Sequence, residues 1–403
     1  MRSLSTTIRR AARAALALAL AAFSLGASLP GARAGELKIV VVEREGDPFY
    51  DRADGADGLY RIRHDRPFPG AEIGLKDIAA LALAVNVAFS LDRWSVSPDE
   101  PVADVVKRAA AEGVSALLLD LPDPDLRQAA KALPRGQIAL FNIREPGDNL
   151  RRDLCATDLF HVIPSRSGLT DALAQFLAKR NWRKILMIVG PEDEDAVLAK
   201  SFEGSARKFG ARIVDTKPFV EGNDPRNREQ TNVALMTSGI DYDAVFVADT
   251  VGDFGRYIQY RMSRPRPVIG TEGLQAAAWH FTSERYGAPQ VSRRFERLAR
   301  RPMTALDWSA WVAVRALGEA VARTPARSPG DILRVLRDGQ VAIELSKGVS
   351  GSFRPWDGQL RQPIMLHTQN AVVDFAPLDG FLHESSTLDT LGLGPRDVPC
   401  GSR

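Results

Sequence analysis

Apolar residues fall along this chain in two alternating rhythms. Leu173, Phe176 and Leu177 recur at helical spacing within Leu169 to Arg180, and soon after them Ile185, Leu186, Met187, Ile188 and Val189 run without interruption. Such a short unbroken run predicts a strand covered on both faces. The loop Gly190 to Asp195 comes next, then a helical run to Phe209 and another short apolar segment, Ala211 to Val214, closed by Asp215. Helix and strand repeating at this spacing predict a parallel sheet. Ligands bind beyond the carboxyl ends of such strands, so Gly190 to Asp195 is a candidate cleft wall.

The first half shows the same alternation. Strands are predicted at Leu37 to Val42, Val85 to Ser90, Val114 to Leu119 and Gln137 to Ile143, with helices at Ala71 to Ala84, Val102 to Ala111 and Asp123 to Leu133. Pro124 opens the last of these helices and Pro134 stops it. Glu43 to Pro69 is a long polar connection, which marks it as functional or as a solvated insertion; it carries Tyr50, Tyr60, Arg61, Arg63, His64, Asp65 and Arg66.

Beyond Asp215, Ala244 to Ala248 reads as a strand followed by Asp249-Thr250, and Arg266 to Ile269 leads into Gly270-Thr271-Glu272-Gly273. Helices are predicted at Trp308 to Val321 and Ser328 to Arg337. Gly348 to Phe375 alternates with period two around turns at Asp357-Gly358 and Gln369-Asn370, the pattern of a hairpin. The class is therefore α/β, with two doubly wound halves, a helical and hairpin return, and a small-molecule cleft between the halves.

Composition changes this picture at the N-terminus. Arg2, Arg9, Arg10 and Arg13 precede an apolar run, Ala14 to Phe23, and Ala32-Arg33-Ala34 fits a cleavage site, so residues 1–34 are expected to be a secretory signal peptide. Arg9-Arg10 leaves both general and twin-arginine export open. Five of the 53 basic residues lie in this leader and none of the 50 acidic ones, so the mature chain carries 48 basic side chains against 50 acidic ones. The apparent basicity belongs to the leader, and with no basic stripe nucleic acid is not an expected partner. About 370 remaining residues exceed what one core supports, which predicts two lobes. The two cysteines, Cys155 and Cys400, are either one disulfide tying the tail to mid-chain or two free thiols; an exported location favours the disulfide.

Several segments carry a resemblance to a known family. The stretches HVIPSRSGLTDALAQFLAKRNWRKILMIVG, DYDAVFVADT, VIGTEGL, DWSAWVAVRALGEAV and KGVSGSFRPWDGQLRQPIMLHT, in this order, resemble the type I periplasmic binding proteins of the Leu/Ile/Val-binding class. More narrowly, RPFPGAEIGLKD, DALAQFLAKRNW and RPVIGTEGL are similar to substrate-binding proteins of ABC systems encoded beside PQQ-dependent alcohol dehydrogenases. The resemblance implies two Rossmann-like lobes joined by hinge strands, 35–160 with 288–362 and 161–287 with 363–403. It also implies a periplasmic location, a monomer and an inner-membrane permease as partner. Amino-acid-binding relatives hold the ligand carboxylate with a Ser or Thr loop and its ammonium with an acid, and Glu272 stands where that acid would be. Here the first-lobe loop reads Leu121-Pro122-Asp123-Pro124 and offers no hydroxyl, and Glu192 to Asp195 replaces the usual aromatic.

Candidate ligand contacts follow from strand and helix ends. Asn142, Arg144 and Glu145 follow a first-half strand, where the family places contacts, and an arginine fork there either receives a carboxylate or pairs with Glu145. Ser165 and Arg166 precede a helix whose first N–H groups suit an anion, with Ser167 as a simple N-cap in the plainer reading. Asp195, Asp249 and Thr250 lie at second-half strand ends. Trp94, Trp279 and His280 are candidates to stack on a flat ligand, whereas Trp308 and Trp311 share a helical face and belong to a core. The acidic run Glu192 to Asp195 lacks the spacing of a calcium loop and reads as a solvated helix start, so no metal is expected.

No Gly-x-Ser-x-Gly, HExxH or P-loop pattern occurs, so neither catalysis nor a bound cofactor is expected. The resulting expectation is a solute-binding component of an ABC transporter, holding pyrroloquinoline quinone or an alcohol-derived compound. The alternative from the same resemblance is a sensor or scaffold subunit regulating a PQQ-dependent dehydrogenase.

Overall fold

A computed structural model describes residues 35–50, 64–220, 225–324 and 328–400. The predicted leader, 1–34, and Tyr60, Arg61 and Arg63 lie outside the described residues.

Two parallel sheets organise the chain. The first contains β1 (Gly35–Arg44), β2 (Val87–Val96), β3 (Val114–Asp120), β4 (Ala139–Asn142) and β5 (Leu159–His161) in the order β2-β1-β3-β4-β5. Pairing of β1 with β3, β3 with β4 and β4 with β5 is parallel. The second contains β6 (Lys184–Val189), β7 (Arg212–Pro218), β8 (Ala244–Ala248) and β9 (Val268–Gly270) in the order β7-β6-β8-β9, all parallel. In each sheet the first strand lies inside, with the second strand on one flank and the third on the other. The chain therefore reverses its winding between β1 and β3, and again between β6 and β8, and a crevice opens beyond the carboxyl ends at each reversal.

Unbroken apolar strands are what these positions demand. Val41, Leu118 and Phe141 pack on one face of the first sheet, and Val40, Leu117 and Leu140 on the other. Helix α1 (Phe68–Ala84) covers the former face, and α2 (Val102–Ala111) and α3 (Asp123–Lys131) the latter. The short α4 (Asp148–Asp153) lies between β4 and β5. In the second sheet Ile185, Met187 and Phe246 face α5 (Arg166–Lys179) and α6 (Asp193–Lys208), whereas Leu186, Ile188 and Val245 face Val233, Met236 and Ile258.

The return half uses α7 (Ala288–Ala299), α8 (Ala305–Arg323) and α9 (Pro329–Arg337), all of which join the core of the first sheet. Helix α8 meets α1 at glycines: a Cβ on Gly70 would lie 2.0 Å from the Asp307 carbonyl oxygen, and one on Gly318 would lie 2.9 Å from Ile78 Cγ2. Trp311 donates to Asp77 at 2.9 Å and Trp308 to the Leu345 carbonyl at 3.2 Å, so both are core residues, as expected. The two expected turns close antiparallel hairpins. One joins β12 (Ser350–Phe353) to β13 (Leu360–Arg361), after the two-residue β11 (Ile343–Glu344). The other joins β14 (Ile364–His367) to β15 (Val372–Ala376), and β14 also pairs with β10 (Gln275–Ala277). Cys155 and Cys400 form a disulfide.

Some boundaries differ from expectation for local reasons. β2 begins at Val87 rather than Val85 because Asn86 has φ 52°, a left-handed turn residue, and it runs on to Val96. Helix α5 begins at Arg166, and its N-cap is Ser165, which accepts from Gly168 N at 3.0 Å; Ser167 instead donates to Asp148 at 2.6 Å.

Candidate ligand-binding cleft

The carboxyl ends of the two sheets share a cleft of about 480 Å³. From the first sheet come Arg144, Glu145 and Pro146, just past β4, together with Phe49 and His64 from the long connection after β1. The facing wall has Leu169, Thr170 and Leu173 of α5, Glu194 and Leu198 of α6, Phe246, Asp249 and Thr250 of β8 and its end, and Gly270, Thr271, Gln275 and Ala276.

A buried ionic cluster fixes the first wall. Arg144 Nη1 lies 2.6 Å from Asp47 Oδ2 and 3.6 Å from Asp120 Oδ1, and its Nε is 3.4 Å from Glu145 Oε1. Asp120, at the end of β3, also accepts from the Tyr50 hydroxyl at 2.7 Å and from Arg66 at 3.3 Å. Burial raises the Asp120 carboxyl from its ordinary value to about 6, against the opposing pull of Arg144, Tyr50 and Arg66. Burial likewise raises Glu145, partly offset by Arg144. The Phe49 ring stacks on His64 with centroids 4.1 Å apart, and the Arg144 guanidinium stands 5.0 Å from the centre of the Phe49 ring. Arg144 and Glu145 thus do pair, in a buried cluster rather than at the surface.

Asn142 supports this wall from beneath. Its Oδ1 accepts from the backbone N–H groups of Arg144 and Glu145 at 3.1 and 2.9 Å, and its amide donates to the Glu145 carbonyl at 2.8 Å. Asn142 is buried and does not line the cleft; it shapes the turn that does. Behind it, the fully buried Arg151 donates to the carbonyls of Glu145, Gly147 and Ile163 and to Gln359 Oε1 at 2.7 to 3.0 Å. Gln359 in turn donates to the carbonyls of His161 and Ile163 at 3.0 and 3.1 Å. This network binds the segment leaving the first sheet to the one returning near residue 359.

The second wall uses carboxylates as backbone acceptors. Asp195 is buried and closes a capping box with Glu192 at the start of α6; it also accepts from Thr250 N at 2.6 Å. Asp249 accepts from Gly252 N and Gly255 N at 2.8 and 2.6 Å. The Gly270-to-Gly273 turn is tight. Gly270 has φ 117°, and a Cβ there would lie 2.2 Å from the Val247 carbonyl oxygen.

Six of the ten sequence-derived candidates take places outside the cleft lining. Glu272 is half-buried against Gly255, and burial followed by the nearby Asp249 raises its pKa. Trp279 is buried in the core, stacked on Trp308 with centroids 6.1 Å apart. Trp94 packs against the far face of the first sheet, beneath Lys38 and Arg108. Arg166 pairs with Glu194 in a neighbouring groove, and Asn142 and Asp195 are internal supports. Arg144, Glu145, Asp249 and Thr250 do line the cleft. His280 stacks on His367 elsewhere, with centroids 4.2 Å apart. Sequence reasoning missed Phe49, Leu169, Leu173, Phe246 and Gln275. The helical and strand apolar positions among them are indistinguishable by pattern from core residues.

The acidic run Glu192 to Asp195 is the capped start of α6, the helix start expected of it, and no group of three or more potential metal ligands occurs among the described residues. No described helix is long and apolar enough to cross a membrane.

No family model matches the sequence, and no curated protein matches it either. Solved structures do resemble it. An ABC transporter substrate-binding protein from Desulfitobacterium hafniense, in complex with Leu, has a TM-score of 0.61 at 19% identity, covering 84% of this chain and 99% of that one. A leucine-, isoleucine-, valine-, threonine- and alanine-binding protein from Brucella ovis, in a closed conformation, has a TM-score of 0.64 at 14% identity, covering 85% and 93%. A solute-binding protein of an ABC transporter from R. palustris, in complex with benzoate, has a TM-score of 0.56 at 12% identity, covering 85% and 96%. With two parallel sheets, reversed winding in each and a cleft at their carboxyl ends, this chain has the type I periplasmic binding protein fold that these structures share.

Proposed function

We propose that this protein is the periplasmic solute-binding component of an ABC transporter. Its lobes, 35–160 with 288–362 and 161–287 with 363–403, would close on a small molecule and present it to an inner-membrane permease. One observation supports this above others: the cleft of about 480 Å³ draws its walls from the carboxyl ends of both sheets, so a ligand there gains its full set of contacts only when both walls meet it. A ligand favouring the closed arrangement shifts the population toward it by that differential affinity.

The service of a PQQ-dependent alcohol oxidation system is the finer part of this proposal and rests on the resemblance of residues 66–77, 171–182 and 266–274. A thermal-shift screen against amino acids, aromatic compounds, alcohols and pyrroloquinoline quinone, followed by solution scattering with each hit, tests both parts. A hit at one hundred times its Kd adds about 2.7 kcal/mol of stability, and scattering should report compaction. A scattering profile unchanged by every compound would remove the binding reading. Co-purification with a dehydrogenase in the absence of any hit would favour the scaffold reading.

A further inference from the structure

The C-terminal segment makes a further connection between the two halves of the chain. The backbone passes from one sheet's core to the other's between β5 and α5, between β10 and α7, and between β13 and β14. After β15 it stays at first with the second sheet, whose core includes Leu378 and Leu391. Helix α5 holds it there: Gln175 accepts from Leu378 N and donates to Thr390 Oγ1, both at 3.0 Å, and Asp171 accepts from Gly392 N at 2.8 Å. Lys208 of α6 donates to the Gly392 carbonyl at 3.2 Å.

From Asp389 onward the first sheet's half takes hold as well. Arg354, just past β12, and Arg361 of β13 donate to Asp389 at 2.7 and 2.9 Å, and Arg354 also donates to the Leu391 carbonyl at 2.8 Å. Phe353 and Leu360 beside them belong to the first sheet's core. Leu393 and Val398 then pack with Trp356, and Cys400 ends in the disulfide to Cys155, between α4 and β5. Hydrogen bonds thus fasten the segment to one half, and a covalent bond fastens it to the other.

Its path decides what this does. A Cβ on Gly392 would lie 2.9 Å from Oγ of Ser165, the N-cap of α5, so the segment lies on the first of the crossings. Gly392, Leu393 and Asp397 also line a groove of about 730 Å³, which has Asp148 and Arg152 on one side and Ser201 and Lys208 on the other. Glu145 and Glu194 line both this groove and the cleft, so the two adjoin. Walls that part at the cleft therefore part here, and the segment spanning them is drawn taut.

Resting on the two-lobe reading above, we propose that residues 392–400 are a strap, held by Asp171 at one end and by the disulfide of Cys155 with Cys400 at the other, that limits how far the lobes open. A ligand meets the consequence as preorganisation: the smaller the wide-open population, the less its intrinsic affinity is diluted. Freeing one end of about eight residues relaxes their confinement by roughly twentyfold, the three-halves power of their number.

Solution scattering and amide hydrogen exchange on the ligand-free protein purified from the periplasm test the strap. Cys155→Ser combined with Cys400→Ser should enlarge the radius of gyration and speed exchange at residues 393–400 by about tenfold or more, with β6 and β8 unchanged. A Gly-Ser-Gly-Ser insertion between Gly394 and Pro395 keeps the disulfide and, because closure entropy grows only with the logarithm of loop length, keeps Tm near that of the native chain. It should enlarge the radius as the serine pair does. A cross-link that only stabilises the fold would leave the radius of the insertion variant unchanged, and that result overturns the strap. Should the serine pair fail to fold, reduction of the folded native protein by a phosphine replaces it; the S–S bond yields two thiols, and water supplies their protons and the phosphine's oxygen. Superimposable profiles before and after reduction overturn the strap too. The strap is judged on the ligand-free radius and the binding-protein reading on compaction by a screening hit, so either can fail alone.

Discussion

Replacing Asp195 by alanine should cost stability first and affinity only in consequence. The carboxylate is buried; Oδ1 accepts from Thr250 N at 2.6 Å and Oδ2 from Glu192 N at 3.2 Å, so one side chain ties the start of α6 to the end of β8. Asp195→Ala leaves both N–H groups without their acceptor. Hydrogen bonds to a charged partner are worth about 1.5 to 3 kcal/mol each, and water reaching the half-buried Thr250 brings the total to the low end, about 3 kcal/mol. With an unfolding entropy of about 2.1 cal/mol/K per residue, a chain of this size should lose roughly 4 °C in Tm. Asp195→Asn keeps one acceptor oxygen and should lose about half as much. Differential scanning calorimetry without ligand measures both. A shift below about 1 °C for the alanine variant would refute the assignment of Asp195 as a structural cap and restore it as a candidate for direct ligand contact.

Two further predictions concern the first sheet. Asp120 has its carboxyl raised from 3.8 to about 6 by burial, so the folded protein holds that proton more tightly than the unfolded chain. Its contribution is therefore present below pH about 4 and lost as pH rises through about 6. Urea denaturation of the native protein against Asp120→Asn should show the stability difference falling by up to about 3 kcal/mol over that window, and a difference that is flat or rises with pH would contradict the assignment. At the contact of α1 with α8, Gly70→Ala drives a methyl to 2.0 Å from the Asp307 carbonyl and should destabilise by about 3 kcal/mol. Gly204→Ala, in α6 with nothing within 4 Å, should instead stabilise by up to about 1 kcal/mol, and equal effects from the two in thermal melts would show that helix contact is not what requires Gly70.

Residue order alone determined the class and much of the element list. Strands buried on both faces must be apolar throughout, and Ile185 to Val189 and Ala244 to Ala248 show this without any partner in view. The predicted helix Val102–Ala111 and both hairpin turns are equally local, since periodicity and turn chemistry act over a few residues. The short α4 and β5 carry too little periodicity to be read, and the tertiary contacts of Arg151 and Gln359 hold them in place.

Only the folded chain decided the cleft. A sequence presents Trp94, Trp279 and Glu272 as candidate ligand contacts, yet packing on the far sheet face, against Trp308 and against Gly255, respectively, places them outside the cleft lining. It leaves Arg144 either to receive a carboxylate or to pair with Glu145, whereas Asp47 and Asp120 reach it from two distant segments as well. Backbone pattern is a property of neighbours along the chain. Net charge, exposure and the direction of a side chain depend on residues tens to hundreds of positions away, and those fix whether a carboxylate binds a ligand or caps a helix.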